Sequence, residues 1–151
     1  MGIRGKLEVE VEIKFDGDVF RQLSGQDPEL VPNITPDKIH TCDLHEGELG
    51  KLDSVISWYY TVGNKKCVAK EIVEVIDEEN KFVGFKIIEG DLLEEFKSLT
   101  ISIHVIPRGE ITVVKWSAEF EKIADDGPYP TQIIDFCIGI TKDIERHHIN
   151  A

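Results

Sequence analysis

The stretch that decides the fold is 133-IIDFCIGITKDIERHH-148, close to the end of the chain. Its apolar side chains recur at helical spacing, and one face of the helix carries Ile133, Cys137, Ile140, Ile144 and His148. In the first half the apolar band is widened by Ile134, Phe136 and Ile138. A band this wide does not suit a surface helix, so the pattern predicts a long C-terminal helix that is buried on more than one side.

The partner for this helix comes from the rest of the chain. Residues 6–14 alternate strictly, with apolar side chains on one face and Glu8, Glu10 and Glu12 on the other, which predicts a half-buried strand. Six further apolar runs between residues 39 and 120 are separated by turn signals such as Gly63-Asn64 and predict an antiparallel meander. Seven strands are too many to stay flat, so we expect the sheet to curl around the helix.

Residues 16–32 predict two short helices between the first two strands. Asp16 or Asp18 can cap the first helix, and Pro28 and Pro32 can begin and end the second. The sequence therefore predicts one α+β domain, residues 1–151, in which a curved antiparallel sheet grips a long helix.

The composition limits the classes of partner. The net charge is −12, with acidic residues spread along the chain, so the surface should repel nucleic-acid phosphates and anionic lipids. We see no apolar stretch with the length of a signal-peptide core or a membrane span, and we expect a cytoplasmic protein without stable membrane association. Cys42, Cys67 and Cys137 are widely spaced and fit reduced thiols.

Residues 45–51, HEGELGK, contain glycines and a lysine in the manner of a phosphate-binding loop. However, His45 falls where that motif requires its first glycine, Leu52 falls where it requires Ser or Thr, and no helix follows. The glycines therefore predict a turn between two strands.

Other chemical motifs find little support. Alternation sends His40 and Cys42 to the strand face opposite Asp43 and His45, so no metal site is predicted. No nucleophile motif occurs, which argues against hydrolase chemistry. The sequence allows either face of the fourth strand to point inward. If Lys70 faces inward, its amine could act as a base or Schiff-base nucleophile; if outward, it reaches solvent.

Four strings carry a family resemblance: ITPDKIHTCDLHEGELGKLDSV (34–55), KEIVEVIDEENKFVGFKIIEGDLLEEFKS (70–98), VVKWSAEFEK (113–122) and TKDIERHH (141–148). In combination they resemble the major latex protein (ripening-related) branch of the plant birch-pollen-allergen family, over essentially the whole chain. The resemblance implies the helix-grip fold of START-like proteins, with a large apolar cavity between sheet and helix.

The resemblance also implies a function. Family members are similar to carriers or sensors of hydrophobic small molecules, such as plant hormones, lipids, flavonoids and alkaloids, and a defence-related role fits the family. A minority, including norcoclaurine synthase and monoterpenoid cyclases, fold a reactive substrate into a ring. The leading hypothesis is thus a carrier without a cofactor, as a monomer or weak dimer. The alternative is a cofactor-independent cyclase or isomerase that acts on a terpenoid, iridoid or alkaloid intermediate.

The ligand-binding residues follow if the apolar parity of each strand faces the cavity that the resemblance implies. A phenol or indole that points inward can also orient a ligand by a hydrogen bond, which makes Tyr60 a candidate catalytic residue. Lys70 is a second candidate if its amine faces inward. The expected ligand-binding residues are Leu23, Ile56, Trp58, Tyr60, Val83, Phe85, Ile101, Ile103, Trp116, Ala118, Ile133, Phe136, Cys137, Ile140 and Ile144.

Overall fold

The computed structural model describes residues 3–14, 16–21 and 27–149. Its strands are β1 (Arg4–Ile13), β2 (Ile39–Glu46), β3 (Val55–Val62), β4 (Lys65–Asp77), β5 (Phe82–Gly90), β6 (Phe96–Arg108) and β7 (Ile111–Lys122). Its helices are α1 (Gly17–Arg21), α2 (Val31–Ile34) and α3 (Thr131–Ile149), with short 3-10 helices at Pro28–Leu30 and Asp91–Glu94. The strands form one antiparallel sheet in the order β1-β7-β6-β5-β4-β3-β2.

The predicted fold class is confirmed: a seven-stranded antiparallel sheet, a long C-terminal helix and short helices between the first two strands. Two details differ from the sequence expectation. The second short helix begins with the 3-10 helix at Pro28–Leu30 before it continues as α2. A further 3-10 helix, which the sequence pattern did not indicate, connects β5 to β6.

One face of the sheet is buried because apolar and polar side chains alternate along the strands. In β6, Leu99, Ile101 and Ile103 are almost completely buried, whereas Thr100 and Ser102 between them are partly exposed. Removing a side chain of this size from water stabilises the fold by about 1.5–3 kcal/mol. The buried face packs against α3, so the main core lies between sheet and helix.

Polar contacts fix the position of α3 at its C-terminal half. The carboxylate of Asp143 accepts hydrogen bonds from the Thr35 hydroxyl (2.8 Å) and the Lys38 ammonium (2.7 Å), which ties α3 to the segment after α2. The backbone N–H of Lys14 donates to the carboxylate of Glu145 at 2.8 Å. The helix is therefore attached to both ends of the segment that links β1 to β2.

The glycine-containing stretch 45–51 connects β2 to β3, as the sequence predicted. β2 ends at Glu46, turns follow, and β3 begins at Val55, so no helix terminus is available to bind a phosphate. Gly47 has a φ of 77°, in the left-handed region that glycine adopts without steric cost. This glycine serves the turn.

Gly90 is required where β5 ends. Its φ is 118°, and a Cβ placed there would lie 2.1 Å from the carbonyl oxygen of Val68. The close approach lets β4 and β5 pair up to the point where the chain turns into the 3-10 helix at Asp91–Glu94.

The sheet is open, and its edges are β1 and β2. Among the described strands, β1 pairs only with β7, and it exposes Glu8, Glu10 and Glu12. In the same set, β2 pairs only with β3, and its register shifts twice, between Ile39 and Thr41 and between Leu44 and Glu46.

No helix in the described ranges is both long and apolar enough to cross a membrane.

Candidate functional site

A cavity of about 120 Å³ lies between the inner face of the sheet and α3. Almost all of its wall is apolar, and six aromatic side chains contribute to it, including Phe20 from α1. The residues that line it are Phe20, Val31, Ile39, Trp58, Tyr60, Ala69, Glu71, Phe85, Ile87, Leu92, Ile101, Ile103, Trp116, Ile133, Phe136, Cys137, Ile140 and Ile144.

Most of the predicted ligand-binding residues do border this cavity. Those that line it are Trp58, Tyr60, Phe85, Ile101, Ile103, Trp116, Ile133, Phe136, Cys137, Ile140 and Ile144. Ile56, Val83 and Ala118 are buried but are not among the lining residues. Alternation determines the face to which a side chain points, but not how far along a strand the cavity extends. Leu23 lies outside the described residues.

Sequence reasoning missed part of the wall. The missed residues are Phe20, Val31, Ile39, Ala69, Glu71 and Leu92, whereas Ile87 lies on the same expected inward face of β5 as Phe85. On β4 the inward side carries Cys67, Ala69, Glu71 and Val73, all of them buried. Three of these four are small or apolar, and from this pattern the inward face of β4 could have been predicted.

Lys70 does not reach the cavity. It lies next to Glu71 on β4 and so points to the opposite face, where its ammonium is 3.6 Å from a carboxylate oxygen of Glu89. The structure therefore does not bring Lys70 together with Tyr60, the other residue proposed for catalysis.

Tyr60 lies in the cavity wall and is 3% exposed. Its ring is 5.3 Å from that of Phe136 on α3, centroid to centroid, with the planes tilted by 44°. Burial raises the pKa of the Tyr60 phenol, with smaller contributions from Cys67 and Asp91, so the hydroxyl stays protonated at neutral pH. Tyr60 can thus donate a hydrogen bond but is a poor base.

Trp116 is held in place by α3. Its indole N–H donates to the Thr141 hydroxyl at 2.9 Å, and that hydroxyl donates to the backbone carbonyl of Cys137 at 2.8 Å. Both polar side chains in this chain of bonds are buried. Trp116 therefore presents a fixed apolar surface to the cavity.

Glu71 is the one ionisable carboxyl group in the described wall of the cavity. It is 4% exposed, and its Oε1 accepts a hydrogen bond from the Trp58 indole N–H at 2.7 Å. Burial raises the pKa of Glu71 to about 7, although the hydrogen bond from Trp58 acts in the opposite direction. Near neutral pH this carboxyl group can therefore hold or release a proton.

The thiols near the cavity are not nucleophiles. Burial, followed by the neighbouring carboxyl of Glu71, raises the pKa of Cys137 to about 12. Burial, followed by the carboxylates of Glu71, Glu29 and Asp43, raises the pKa of Cys42 to about 12. A thiol is a good nucleophile only as its thiolate, so these cysteines are small apolar side chains at neutral pH.

The histidines of β2 make ordinary hydrogen bonds. His40 Nε2 is 2.7 Å from the Thr61 hydroxyl, and His45 Nε2 is 2.7 Å from the Ser57 hydroxyl. Within residues 3–14, 16–21 and 27–149, no group of three or more His, Cys, Asp or Glu side chains is arranged to hold a metal ion.

A second, smaller cavity of about 100 Å³ lies beside the N-terminal end of α3. Tyr60, Leu92 and Ile133 line both cavities and so separate them. The outer cavity also has charged walls, with Lys65 and Asp91 among them. The polar outer cavity therefore adjoins the apolar inner cavity at this end of α3.

Comparisons with known proteins agree with this geometry. The family model described as "Pathogenesis-related protein Bet v 1 family" matches residues 2–151. MLP-like protein 31 from Arabidopsis thaliana is 41% identical over 148 residues, which cover 97% of this chain and 86% of that protein. The crystal structure of ginseng major latex-like protein 151 from Panax ginseng is similar with a TM-score of 0.94 and 50% identity, over 97% of this chain and 99% of that chain.

A more distant neighbour shares the fold alone. Norcoclaurine synthase from Thalictrum flavum, solved in complex with dopamine and hydroxybenzaldehyde, has a TM-score of 0.73 at 18% identity, over 96% of this chain and 88% of that chain.

A seven-stranded antiparallel sheet that grips a long helix, with an apolar cavity between them, defines the helix-grip class of proteins. Within that class, the chain belongs to the Bet v 1 family, and its relatives are major latex proteins, as the sequence resemblance predicted.

Proposed function

We propose that this chain is a cytoplasmic carrier or sensor that binds a hydrophobic small molecule in the cavity between sheet and α3. The observation that carries the proposal is the wall of that cavity, which is apolar apart from Glu71 and the tips of a few aromatic and thiol side chains. Family membership supports it, because hydrophobic ligand binding is general in the Bet v 1 family. We further propose that the residues lining the cavity contact the ligand.

The size of the cavity bears on the size of the ligand. Its volume is about 120 Å³, whereas pockets for drug-sized ligands span roughly 300–1,000 Å³. An apolar cavity of roughly 150 Å³ is known to hold benzene. A ligand with a single ring fits the conformation described here. A larger hormone, lipid or flavonoid requires half-buried side chains such as Leu92, Phe136 and Ile140 to move outward.

The chain carries its own reporter of occupancy, because both of its tryptophans, Trp58 and Trp116, line the cavity. Nitrotoluene, a neutral single-ring quencher of indole fluorescence, provides the probe. We expect saturable quenching of the tryptophan emission and a rise in melting temperature with probe concentration, since a ligand that binds only the folded state stabilises it.

Ala69→Leu fills the cavity and should weaken the binding of nitrotoluene strongly, since it replaces a buried methyl group of the wall by an isobutyl group. Ala124→Leu makes the same change at an exposed position and should leave binding intact. Quenching that rises linearly without saturation, or that Ala69→Leu leaves unchanged while circular dichroism stays native, would contradict the carrier proposal.

A second candidate function is a cofactor-independent cyclase or isomerase. It is favoured by the presence of an acid–base group and a hydrogen-bond donor, Glu71 and Tyr60, in the wall of one cavity. Holding a flexible substrate close to the shape of its transition state also lowers the barrier. Product analysis of reactive terpenoid, iridoid and alkaloid precursors should then show one stereoisomer enriched catalytically, and less so with Tyr60→Phe. Unchanged product ratios at substrate excess would count against catalysis and leave the carrier.

A further inference from the structure

The carboxyl group of Glu71 lies in an apolar wall with most of its bonding capacity unused. It accepts one hydrogen bond, from the Trp58 indole N–H to Oε1. In the described part of the chain no hydrogen bond reaches Oε2, and no cationic side chain lies within ion-pair distance of the carboxyl group. A buried carboxylate without a cationic partner is costly, and buried polar groups are normally paired.

The structural role of Glu71, to accept the hydrogen bond from the Trp58 indole, does not require an ionisable group. On β4 Glu71 lies between Ala69 and Val73 on the buried face, whereas the adjacent cation, Lys70, points outward to Glu89. A glutamine at position 71 would accept the same hydrogen bond without the cost of burying an acid. The side chain is therefore best explained by what enters the cavity.

We propose that Glu71 is the recognition group for a small apolar amine, whose ammonium group binds the carboxylate while its apolar body packs against the aromatic wall. The inference rests on the proposed function and names the ligand class for the same cavity. An ammonium group supplies both missing elements, a hydrogen-bond donor for Oε2 and a positive charge. The indole of Trp58, already bonded to Oε1, orients the carboxyl group toward the cavity.

Other features of the chain favour a cation over a neutral donor. The aromatic rings of Trp58, Phe85, Trp116 and Phe136 line the same space, and the face of such a ring attracts an ammonium group. The net charge of −12 also draws organic cations to the protein and repels organic anions. In the empty cavity Glu71 is neutral below about pH 7, and binding of an ammonium ion requires it to release that proton.

Calorimetric titration with benzylamine and its neutral isostere ethylbenzene tests the proposal. In the wild-type protein at pH 8 we expect benzylamine to bind at least about tenfold more tightly than ethylbenzene. Glu71→Gln should remove this preference, so that benzylamine and ethylbenzene bind to this variant with similar affinity. Glu74→Gln, the same change at an exposed position of β4, should alter neither affinity.

The pH dependence of the wild-type protein gives a readout that needs no variant. Among the described residues, the titratable groups near Glu71 are the Tyr60 phenol in the same wall and the thiols of Cys42 and Cys137. Burial raises the pKa of Tyr60, and the pKa values of the thiols are about 12, so all three remain protonated. Deprotonation of Glu71, with its pKa of about 7, should therefore strengthen benzylamine binding by about tenfold between pH 6 and pH 8. Ethylbenzene binding should not change over that range.

The outcomes separate the two proposals. If ethylbenzene binds and benzylamine binds no more tightly, the amine proposal is wrong and the carrier proposal is retained. The same conclusion follows if the Glu71→Gln variant still prefers benzylamine over ethylbenzene. If neither compound binds to the wild-type protein, the carrier function fails for single-ring ligands and the amine proposal fails with it.

Discussion

Replacing Glu71 by glutamine should remove a pH-dependent cost of folding. Burial raises the pKa of Glu71 from 4.5 to about 7, so between these values the folded chain holds a proton that the unfolded chain has released. The unfolded state then binds fewer protons, and the free energy of unfolding of the wild type falls as the pH rises through this window. At about 1.36 kcal/mol per pKa unit, the cost above about pH 8 is on the order of 3 kcal/mol.

The glutamine variant keeps the shape of the side chain and an oxygen that can accept the hydrogen bond from Trp58, but it carries no titrating proton. We therefore expect Glu71→Gln to be more stable than the wild type by on the order of 3 kcal/mol at pH 8, with the difference shrinking toward pH 5. Cys42 and Cys137 do not titrate in this range.

Urea unfolding followed by far-UV circular dichroism at several pH values between about 5 and 8 measures the difference directly, because the free energy of unfolding falls linearly with urea concentration. Glu74→Gln is the control, since Glu74 is exposed on the same strand and its replacement should have a small effect at every pH. A difference between Glu71→Gln and the wild type that stays constant over this range would refute the reasoning, because Glu71 would then titrate alike in both states.

Two further substitutions test how the wall and the strand ends are built. Thr141→Val removes the acceptor of the buried Trp116 indole N–H and should lower the free energy of unfolding by about 1–3 kcal/mol in urea titrations; a loss below about 0.5 kcal/mol would mean that the indole finds another acceptor. Gly90→Ala should be far more destabilising than Gly63→Ala, since both glycines have positive φ but only at position 90 would the Cβ meet backbone, 2.1 Å from the carbonyl oxygen of Val68. Equal melting temperatures for these two alanine variants would contradict this explanation.

The fold could be predicted from the sequence because its main elements have clear periodicity. In β6 the alternation from Leu99 to Val105 has no interruption, and in α3 the apolar band is too wide for a surface helix. The short elements were less predictable. The 3-10 helix at Asp91–Glu94 has four residues, of which Leu92 and Leu93 are only partly buried, so it is too short to show a helical period.

The candidate site was predictable only where strand parity was evident. Trp58 and Tyr60 alternate with more polar neighbours on β3, and both line the cavity. On β4, however, Lys70 and Glu71 are adjacent, so one charged side chain must face inward whichever parity is chosen. The choice depends on the surrounding sheet, since Glu71 accepts a hydrogen bond from the Trp58 indole N–H on the inner face and Lys70 pairs with Glu89 on the outer face.

The two edges of the open sheet bear on the tendency of this protein to aggregate. An unpaired strand edge is a template for a neighbouring chain, and long flat edges lead to aggregation. On β1, addition of a second β1 would bring Glu8, Glu10 and Glu12 of one copy close to the same glutamates of the next. On β2, the two shifts of register interrupt the regular row of N–H and C=O groups that an incoming strand needs. Charge repulsion thus disfavours strand addition at β1, and irregular geometry disfavours it at β2. A variant in which the three glutamates are replaced by threonine should therefore aggregate faster without any change in its fold.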